Sequence, residues 1–80
     1  MILKPVTSEK AVRLLDAENT VVFEIGRGER KEHIKKAVEK HFSVKIENIR
    51  TLIRHNKKFA YVRLVKDNPA IDIATKLGMM

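Results

Sequence analysis

Hydrophobic and polar positions along the chain follow two periods, and each period predicts one kind of element. Apolar residues spaced three and four apart predict helices, and alternating or β-branched runs predict strands. The predicted elements are, in chain order, a helix over 8–17, a strand over Thr20–Ile25, a helix over Lys31–Phe42, strands over Ile46–Arg54 and 59–65, and a helix that begins at Asn68-Pro69. Thr7 or Ser8 is a natural N-cap for the first helix. Asn68 is the predicted N-cap of the last helix, with Pro69 at its first position, and Gly78 is expected to end that helix.

This α-β-α-β-β-α order predicts one α/β domain of the α+β type over residues 1–80, with helices on both faces of a small, mainly antiparallel sheet. A helix joins the first two strands, so we expect them to lie parallel through a right-handed crossover. The second and third strands form a hairpin around His55-Asn56-Lys57, which makes a mixed sheet of three strands. Residues 1–4 are a weak candidate for a fourth strand.

Charge changes this picture because it is concentrated in the middle of the chain. The 80 residues carry 17 Lys and Arg against 10 Asp and Glu, a formal net charge of +7. Residues 1–25 have a net charge of −1, residues 26–63 of +8 and residues 64–80 of 0. Such a patch is typical of a protein that binds a polyanion, and it favours nucleic acid over a membrane surface or an acidic protein. The plain alternative is a solvated, solubilising face.

The composition excludes several classes of protein. There is no Cys, which excludes a disulfide scaffold, a cysteine zinc module and a thiol nucleophile. No apolar run is long enough for a transmembrane helix, and no signal peptide is recognisable. We therefore expect a soluble, intracellular domain.

Catalytic and cofactor sites have no support in the residues. His33 and His41 lie eight positions apart on one predicted helix, too far to share a metal ion, and His41 is expected to be half-buried. Gly26 and Gly28 lie between a strand and a helix, but the third glycine of a dinucleotide fingerprint is absent, so they are expected to form a turn. The chain is predicted to have no metal, no cofactor and no enzymatic activity.

The segment 57–64, K-K-F-A-Y-V-R-L, approximates the long signature of an RRM, whose sheet aromatics stack RNA bases. Alternation places Phe59, Tyr61 and Arg63 on one face of the strand. The glycine and the final aromatic of that signature are absent, and no strand follows the last helix. We expect Phe59 to lie in the core under a helix. The alternative is a free-standing RRM-like module that stacks single-stranded RNA on Phe59 and Tyr61.

Four blocks, in order, resemble one family more specifically. They are P-V-T-S-E-K-A at 5–11, I-K-K-A-V-E-K-H-F at 34–42, V-x-I-x-x-I-x-T-L at 44–52, and A-Y-V-R-L at 60–64 with N-P-A and D-I-A-x-x-L-G after it. Together they cover nearly the whole chain and resemble the twenty-third large-subunit ribosomal protein family, most closely its archaeal and eukaryotic members.

The resemblance implies a structural, ribosome-bound role in the cytoplasm, with large-subunit rRNA and neighbouring ribosomal proteins as partners. It also implies a docking platform at the tunnel exit for signal recognition particle, nascent-chain chaperones and the translocon, with Glu9 in the place of the family's docking glutamate. Charge and resemblance together nominate eight rRNA-binding residues: Lys10, Lys31, Lys35, Lys36, Arg50, Arg54, Lys57 and Lys58.

Three departures from the family pattern carry expectations of their own. Arg30 replaces the usual N-cap of the central helix, which should leave that cap unmade. Arg50 replaces a common asparagine and adds a charge. The hairpin turn has only a few residues, where bacterial members insert a long basic loop, so this chain is not expected to line the tunnel interior.

Overall fold

The computed structural model describes residues 3–77, in which three helices lie against a four-stranded antiparallel sheet. The elements are β1 (Lys4–Pro5), α1 (Glu9–Glu18), β2 (Thr20–Ile25), α2 (Lys31–Phe42), β3 (Ile46–Arg54), β4 (Lys57–Leu64) and α3 (Ala70–Lys76). The α+β class is confirmed, and β2, α2 and β3 have the predicted bounds. The predicted end of the last helix at Gly78 lies outside the described residues.

The strand order is β1-β2-β4-β3, and every neighbouring pair is antiparallel. Strands β2 and β3 are parallel to each other, but β4 lies between them and pairs with both. The expected mixed sheet is therefore wrong, because the crossover through α2 skips one position instead of joining neighbours. A fourth strand is present near the chain start as the two-residue β1, which pairs with β2. Of the residues suggested for it, 1–4, only Lys4 belongs to β1, and residues 1 and 2 lie outside the described residues.

The β3–β4 hairpin closes through a turn of two residues. His55 and Asn56 have φ values of 54° and 62°, and Arg54 pairs directly with Lys57. Two consecutive left-handed residues define a type I′ turn, whose twist matches that of the strands, and Asn and His tolerate this conformation better than most residues. The turn is therefore one residue shorter than predicted, and Lys57 belongs to β4.

The core lies on one face of the sheet. Val21, Phe23 and Ile25 of β2 are buried there beside the alternate residues Ala60 and Val62 of β4, in the predicted pattern. All three helices contribute to this cluster: Leu15 from α1, Ile34 and Val38 from α2, and Ala70, Ile73 and Ala74 from α3. Burial of this apolar surface is the main source of stability in the fold.

Helix α1 reaches around the edge of the sheet. Ser8 caps it, accepting a hydrogen bond of 3.2 Å from the Ala11 N–H. Leu15 enters the core, whereas Ala11 and Leu14 line a groove with Val22, which lies on the opposite face of the sheet. The expectation of helices on both faces is met by α1 alone, since the buried residues of α2 and α3 belong to the core cluster.

Asn19 joins three parts of the fold. It ends α1 in the left-handed conformation, with φ of 51°. Its Nδ2 donates to the carbonyl oxygens of Leu64, Val65 and Asn68 at 3.1–3.2 Å, and its Oδ1 accepts from the Ala70 N–H at 2.6 Å. The predicted cap of α3 by Asn68 is wrong, because Asn68 Oδ1 instead accepts from Lys45 N–H and Asn19 satisfies the helix start.

Helix α2 begins without a side-chain cap, as expected from Arg30. The backbone of Arg30 is extended and its side chain makes no capping hydrogen bond. Before it, the Glu29 N–H donates to the Gly26 carbonyl at 3.1 Å and closes the predicted glycine turn. The acidic Glu32 lies in the first turn, where its negative charge interacts favourably with the positive end of the helix dipole.

Candidate nucleic-acid interface

The sheet face opposite the core carries cations and aromatic rings. We call it the open face and define it by seven residues of β3 and β4: Arg50, Leu52, Arg54, Lys57, Phe59, Tyr61 and Arg63. The antiparallel register places three pairs of them directly opposite each other: Arg50 with Tyr61, Leu52 with Phe59, and Arg54 with Lys57. Directly opposite residues have Cβ atoms about 4.5–5.5 Å apart, so these side chains form one continuous surface.

An apolar strip runs along the open face. Phe59 and Tyr61 are half-buried, and Leu52, opposite Phe59 on β3, is 40% exposed. They line a groove of about 270 Å³ whose far wall is Leu14 and Ala11 of α1. The expectation that Phe59 lies in the core is wrong: it is outside the core cluster, because the helices cover the other face of β4.

Cations surround this strip. Lys10 of α1 and Arg54 of β3 line the groove beside Phe59 and Tyr61, and Lys10 and Arg50 line its continuation toward Glu18. Two structural elements that are distant in sequence thus bring together Lys10, Arg50 and Arg54, three of the eight nominated residues. Their charges meet beside aromatic faces, an arrangement suited to phosphates and bases.

The open face keeps an unfavourable charge pair. Arg54 and Lys57 occupy directly opposite positions in the hairpin, where like charges destabilise a sheet. Lys57 Nζ lies 3.9 Å from Glu24 Oε1, so one carboxylate offsets part of the repulsion. The remaining positive potential is suited to a polyanion.

A second set of cations lies on the other side of edge strand β3. Lys31 and Lys35 of α2 line a shallow groove against Ile46 and Ile49, and two carboxylates, Glu32 and Glu47, line the same groove. Because β3 is an edge strand, Lys31 and Lys35 flank it on the core side while Arg50 and Arg54 flank it on the open face. Lys36 is exposed on α2 and is absent from both grooves.

Lys58 has a structural contact. It is half-buried on the core side of β4, and its Nζ donates to the Glu29 carbonyl at 2.6 Å. This bond ties β4 to the loop before α2. Among the eight nominated lysines and arginines, the fold engages two ammonium groups within the described residues: Lys58 through this hydrogen bond and Lys57 through its ion pair with Glu24.

Arg63 was missed as a candidate. It is exposed on the open face, next to Tyr61 in alternation and opposite Asn48 across the strand pair. The alternation of β4 already grouped Arg63 with the aromatics, so the sequence contained the signal. The sequence did not show which face of the sheet the helices leave uncovered.

Glu9 lies in the first turn of α1 and is strongly exposed. Its Oε1 is 3.2 Å from Arg13 Nη2, and the two side chains are 85% and 78% exposed. An ion pair this exposed contributes about 0.3–0.5 kcal/mol at most to stability, so Glu9 remains accessible to a partner.

The histidines form no site. His33 Nδ1 lies 3.8 Å from Glu29 Oε2, and His41 is exposed beside the Phe42 ring, so its expected half-burial is wrong. Between residues 3 and 77, no three metal-ligating side chains lie close enough to hold an ion. Over the same residues, no helix has the length and hydropathy needed to cross a membrane.

Comparison with known proteins identifies the family. The family model of ribosomal protein L23 matches residues 1–74. The chain is 41% identical over 81 residues to the large ribosomal subunit protein uL23 of Pyrobaculum aerophilum, an alignment that covers the whole of both chains. It is 43% identical to the protein of the same name from Caldivirga maquilingensis, covering all of this chain and 94% of that one.

A third relative extends the match. The large ribosomal subunit protein uL23 of Methanothermobacter thermautotrophicus is 38% identical over 80 residues, covering 99% of this chain and 93% of the relative. These matches confirm the family predicted from the four sequence blocks, and with it a structural rather than catalytic role. The chain belongs to the ribosomal protein L23 family and is a protein of the large ribosomal subunit.

Proposed function

We propose that this chain binds large-subunit rRNA near the peptide exit tunnel and helps to form the docking site there for signal recognition particle, nascent-chain chaperones and the translocon. It acts on ribosomes in the cytoplasm, with neighbouring large-subunit proteins as further partners. The observation that carries the rRNA contact is the clustering of cations on both sides of edge strand β3 in a member of this family.

The arrangement of these cations favours recognition of an RNA backbone. Arg50 and Arg54 approach from the open face, and Lys31 and Lys35 from the opposite side of β3. Guanidinium groups bind phosphate oxygens in a bidentate way, while lysines act as point charges on longer stems. A-form RNA hides its base edges in a deep groove, so such contacts select the shape of the RNA rather than its base sequence. The two-residue hairpin turn supports a position outside the tunnel interior.

The RRM-like alternative required an exposed aromatic surface and a free-standing module. The sheet supports the surface, but family membership does not favour a free-standing module. Strand β1 from the chain start completes a four-stranded sheet, which removes the objection that no strand follows the last helix. Phe59 and Tyr61 lie on the open face of that sheet, as base stacking requires. Membership of a ribosomal protein family favours the ribosome as the place where this surface works.

A tagged copy of this chain should sediment with the large subunit in a sucrose gradient and remain there after a high-salt wash. Phosphate contacts alone weaken steeply with salt, so retention would indicate an integral component held by many contacts. The measurement is an immunoblot of gradient fractions before and after the wash.

The matched control for that gradient is the same particle treated with ribonuclease, which should release the chain into light fractions. Recovery of the chain only in light fractions at low salt would contradict the ribosomal assignment. Retention at low salt with complete loss at high salt would contradict integral membership and would indicate peripheral binding.

Replacing Glu9 by alanine should weaken factor docking without unfolding the chain. Glu9 is exposed in the free chain, and docking would bury it against a cation of the partner. Removing one partner of a buried charge pair costs about 2 kcal/mol or more, so ribosomes with the variant should bind purified signal recognition particle about 30-fold more weakly. Binding is measured by co-sedimentation with salt-washed ribosomes.

Asp16→Ala is the control for Glu9→Ala, because Asp16 is also an exposed carboxylate on α1 and lies nearly two turns away. Both variants should keep the free energy of unfolding within about 0.5 kcal/mol of the original chain. Equal binding of the particle by both variants would remove Glu9 from the docking site.

A further inference from the structure

We infer that the open face holds an unstacked base of single-stranded RNA on Phe59 and Tyr61, with the flanking phosphates on Lys10 and Arg54. This inference rests on the proposed function for the identity of the RNA, and adds to it a contact that backbone recognition does not include. It predicts an unpaired nucleotide in the bound rRNA. The rest of the interface requires only an RNA helix of suitable shape.

The aromatic residues of the open face are accessible. Phe59 and Tyr61 lie outside the core cluster and are half-buried, and Leu52, opposite Phe59 on β3, is 40% exposed. Tyr61 is opposite Arg50 and Phe59 is opposite Leu52, so the rings are on one face and two residues apart. In β-sheets this spacing is about 7 Å, which allows the two rings to contact one base or two adjacent ones.

Positive charge surrounds the groove. Lys10 and Arg54 line it, and Arg50 lies beside Tyr61 in the adjoining groove. A nucleotide combines a flat apolar base with an anionic backbone, which is the chemistry this arrangement complements. An apolar peptide would also fit the aromatic strip, but it would leave three cations without a counter-charge. Glu18 is the one carboxylate that lines the adjoining groove.

Helix α1 covers one side of the groove and leaves the aromatic strip accessible. Ala11 and Leu14 form one wall of the groove and bury Val22 beneath them, so the floor is already desolvated while the aromatic strip stays accessible. A base entering here would be covered by α1 on one side and would stack on β4 on the other. The volume of about 270 Å³ has room for one base and not for a helix.

The chain contains its own reporter for this contact. Tyr61 is the single tyrosine and there is no tryptophan, so tyrosine emission reports on the open face alone. A stacked base quenches tyrosine emission strongly, whereas phosphate oxygens quench it only weakly. A single-stranded twelve-nucleotide oligouridylate should therefore quench the emission strongly and saturably, and inorganic polyphosphate of equal charge should bind with much weaker quenching.

Substitutions at Tyr61 separate the contribution of the aromatic ring to RNA affinity from the contribution of the cations. Tyr61→Leu should weaken oligouridylate binding about 5-fold to 150-fold, the range found when a stacking aromatic is removed, with the same slope of affinity against salt. Tyr61→Phe keeps the ring and should bind within about twofold of the original chain. Ile53→Thr is the matched control, because Ile53 is 57% exposed in the same hairpin but on the other face. Affinity is measured by anisotropy of a labelled oligonucleotide, and circular dichroism checks the fold of each variant.

Two results would overturn the stacking contact. One is equal affinity of Tyr61→Leu and the original chain for oligouridylate, and the other is equal quenching by oligouridylate and polyphosphate. A further test in assembled subunits uses Phe59→p-benzoylphenylalanine, whose photoproduct should be an RNA adduct. A protein adduct there would overturn the inference in favour of a peptide ligand. Either adduct requires that the chain has assembled into the subunit. A protein adduct therefore overturns the stacking contact alone, whereas absence of the chain from the subunits overturns the proposed function.

Discussion

Replacing Asn19 by alanine will lower the free energy of unfolding by about 3–5 kcal/mol. The side chain makes four hydrogen bonds, three from Nδ2 to the carbonyl oxygens of Leu64, Val65 and Asn68 and one from the Ala70 N–H to Oδ1. Because Nδ2 has two hydrogens for three acceptors, the set is equivalent to about three full bonds and contributes about 3 kcal/mol. Alanine also resists the left-handed backbone, which adds about 1 kcal/mol. A domain of 80 residues has a total stability of about 4–12 kcal/mol, so this change removes a large share of it. Urea unfolding followed by circular dichroism measures the loss.

Two further variants divide that loss into its causes. Asn19→Gly keeps the left-handed backbone accessible and removes the four bonds, so it should recover only about 1 kcal/mol relative to alanine. Asn68→Ala removes one exposed bond, to the Lys45 N–H, and should cost about 1 kcal/mol or less. A loss below about 1.5 kcal/mol in Asn19→Ala would show that water replaces the side chain at these carbonyls.

The local elements were predictable because their causes are local. The bounds of β2 and α2 match, since β-branched runs and an apolar stripe at helical spacing are properties of a few consecutive residues. The position of β4 between β2 and β3 was not predictable, because strand pairing depends on contacts between residues about forty positions apart. The bonds of Asn19 span 45–51 positions, so its sequence context indicated only a turn.

The candidate interface was predicted in composition but not in geometry. Alternation correctly grouped Phe59 with Tyr61 and Arg63, but could not tell that the helices cover the opposite face. Charge and family resemblance nominated Lys58 and Arg54 equally as rRNA-binding residues. The fold distinguishes them, because Lys58 Nζ is bonded to the Glu29 carbonyl, whereas Arg54 lines the groove.

Reversing two charges on the open face, in the variant Arg50→Glu/Arg54→Glu, will weaken rRNA binding about 100-fold at 0.1 M salt or below. Two charge-assisted contacts to phosphate contribute about 3 kcal/mol together, and carboxylates at the same positions add repulsion. The folded chain should be unchanged in stability or gain about 0.5 kcal/mol, because the change at position 54 turns a like-charge pair with Lys57 into an opposite-charge pair. Filter binding to protein-free large-subunit rRNA and urea unfolding measure the two quantities.

Loss of binding together with a gain in stability would distinguish a surface shaped for a ligand from one that only keeps the chain in solution. Lys66→Glu/Lys76→Glu is the matched control: it changes net charge by the same amount at exposed positions outside both cation clusters. If both double variants lose affinity equally, only net charge matters. If the open-face variant binds normally while Lys35→Glu/Lys36→Glu does not, the rRNA lies against α2, and the repulsion between Arg54 and Lys57 then has no ligand to relieve it.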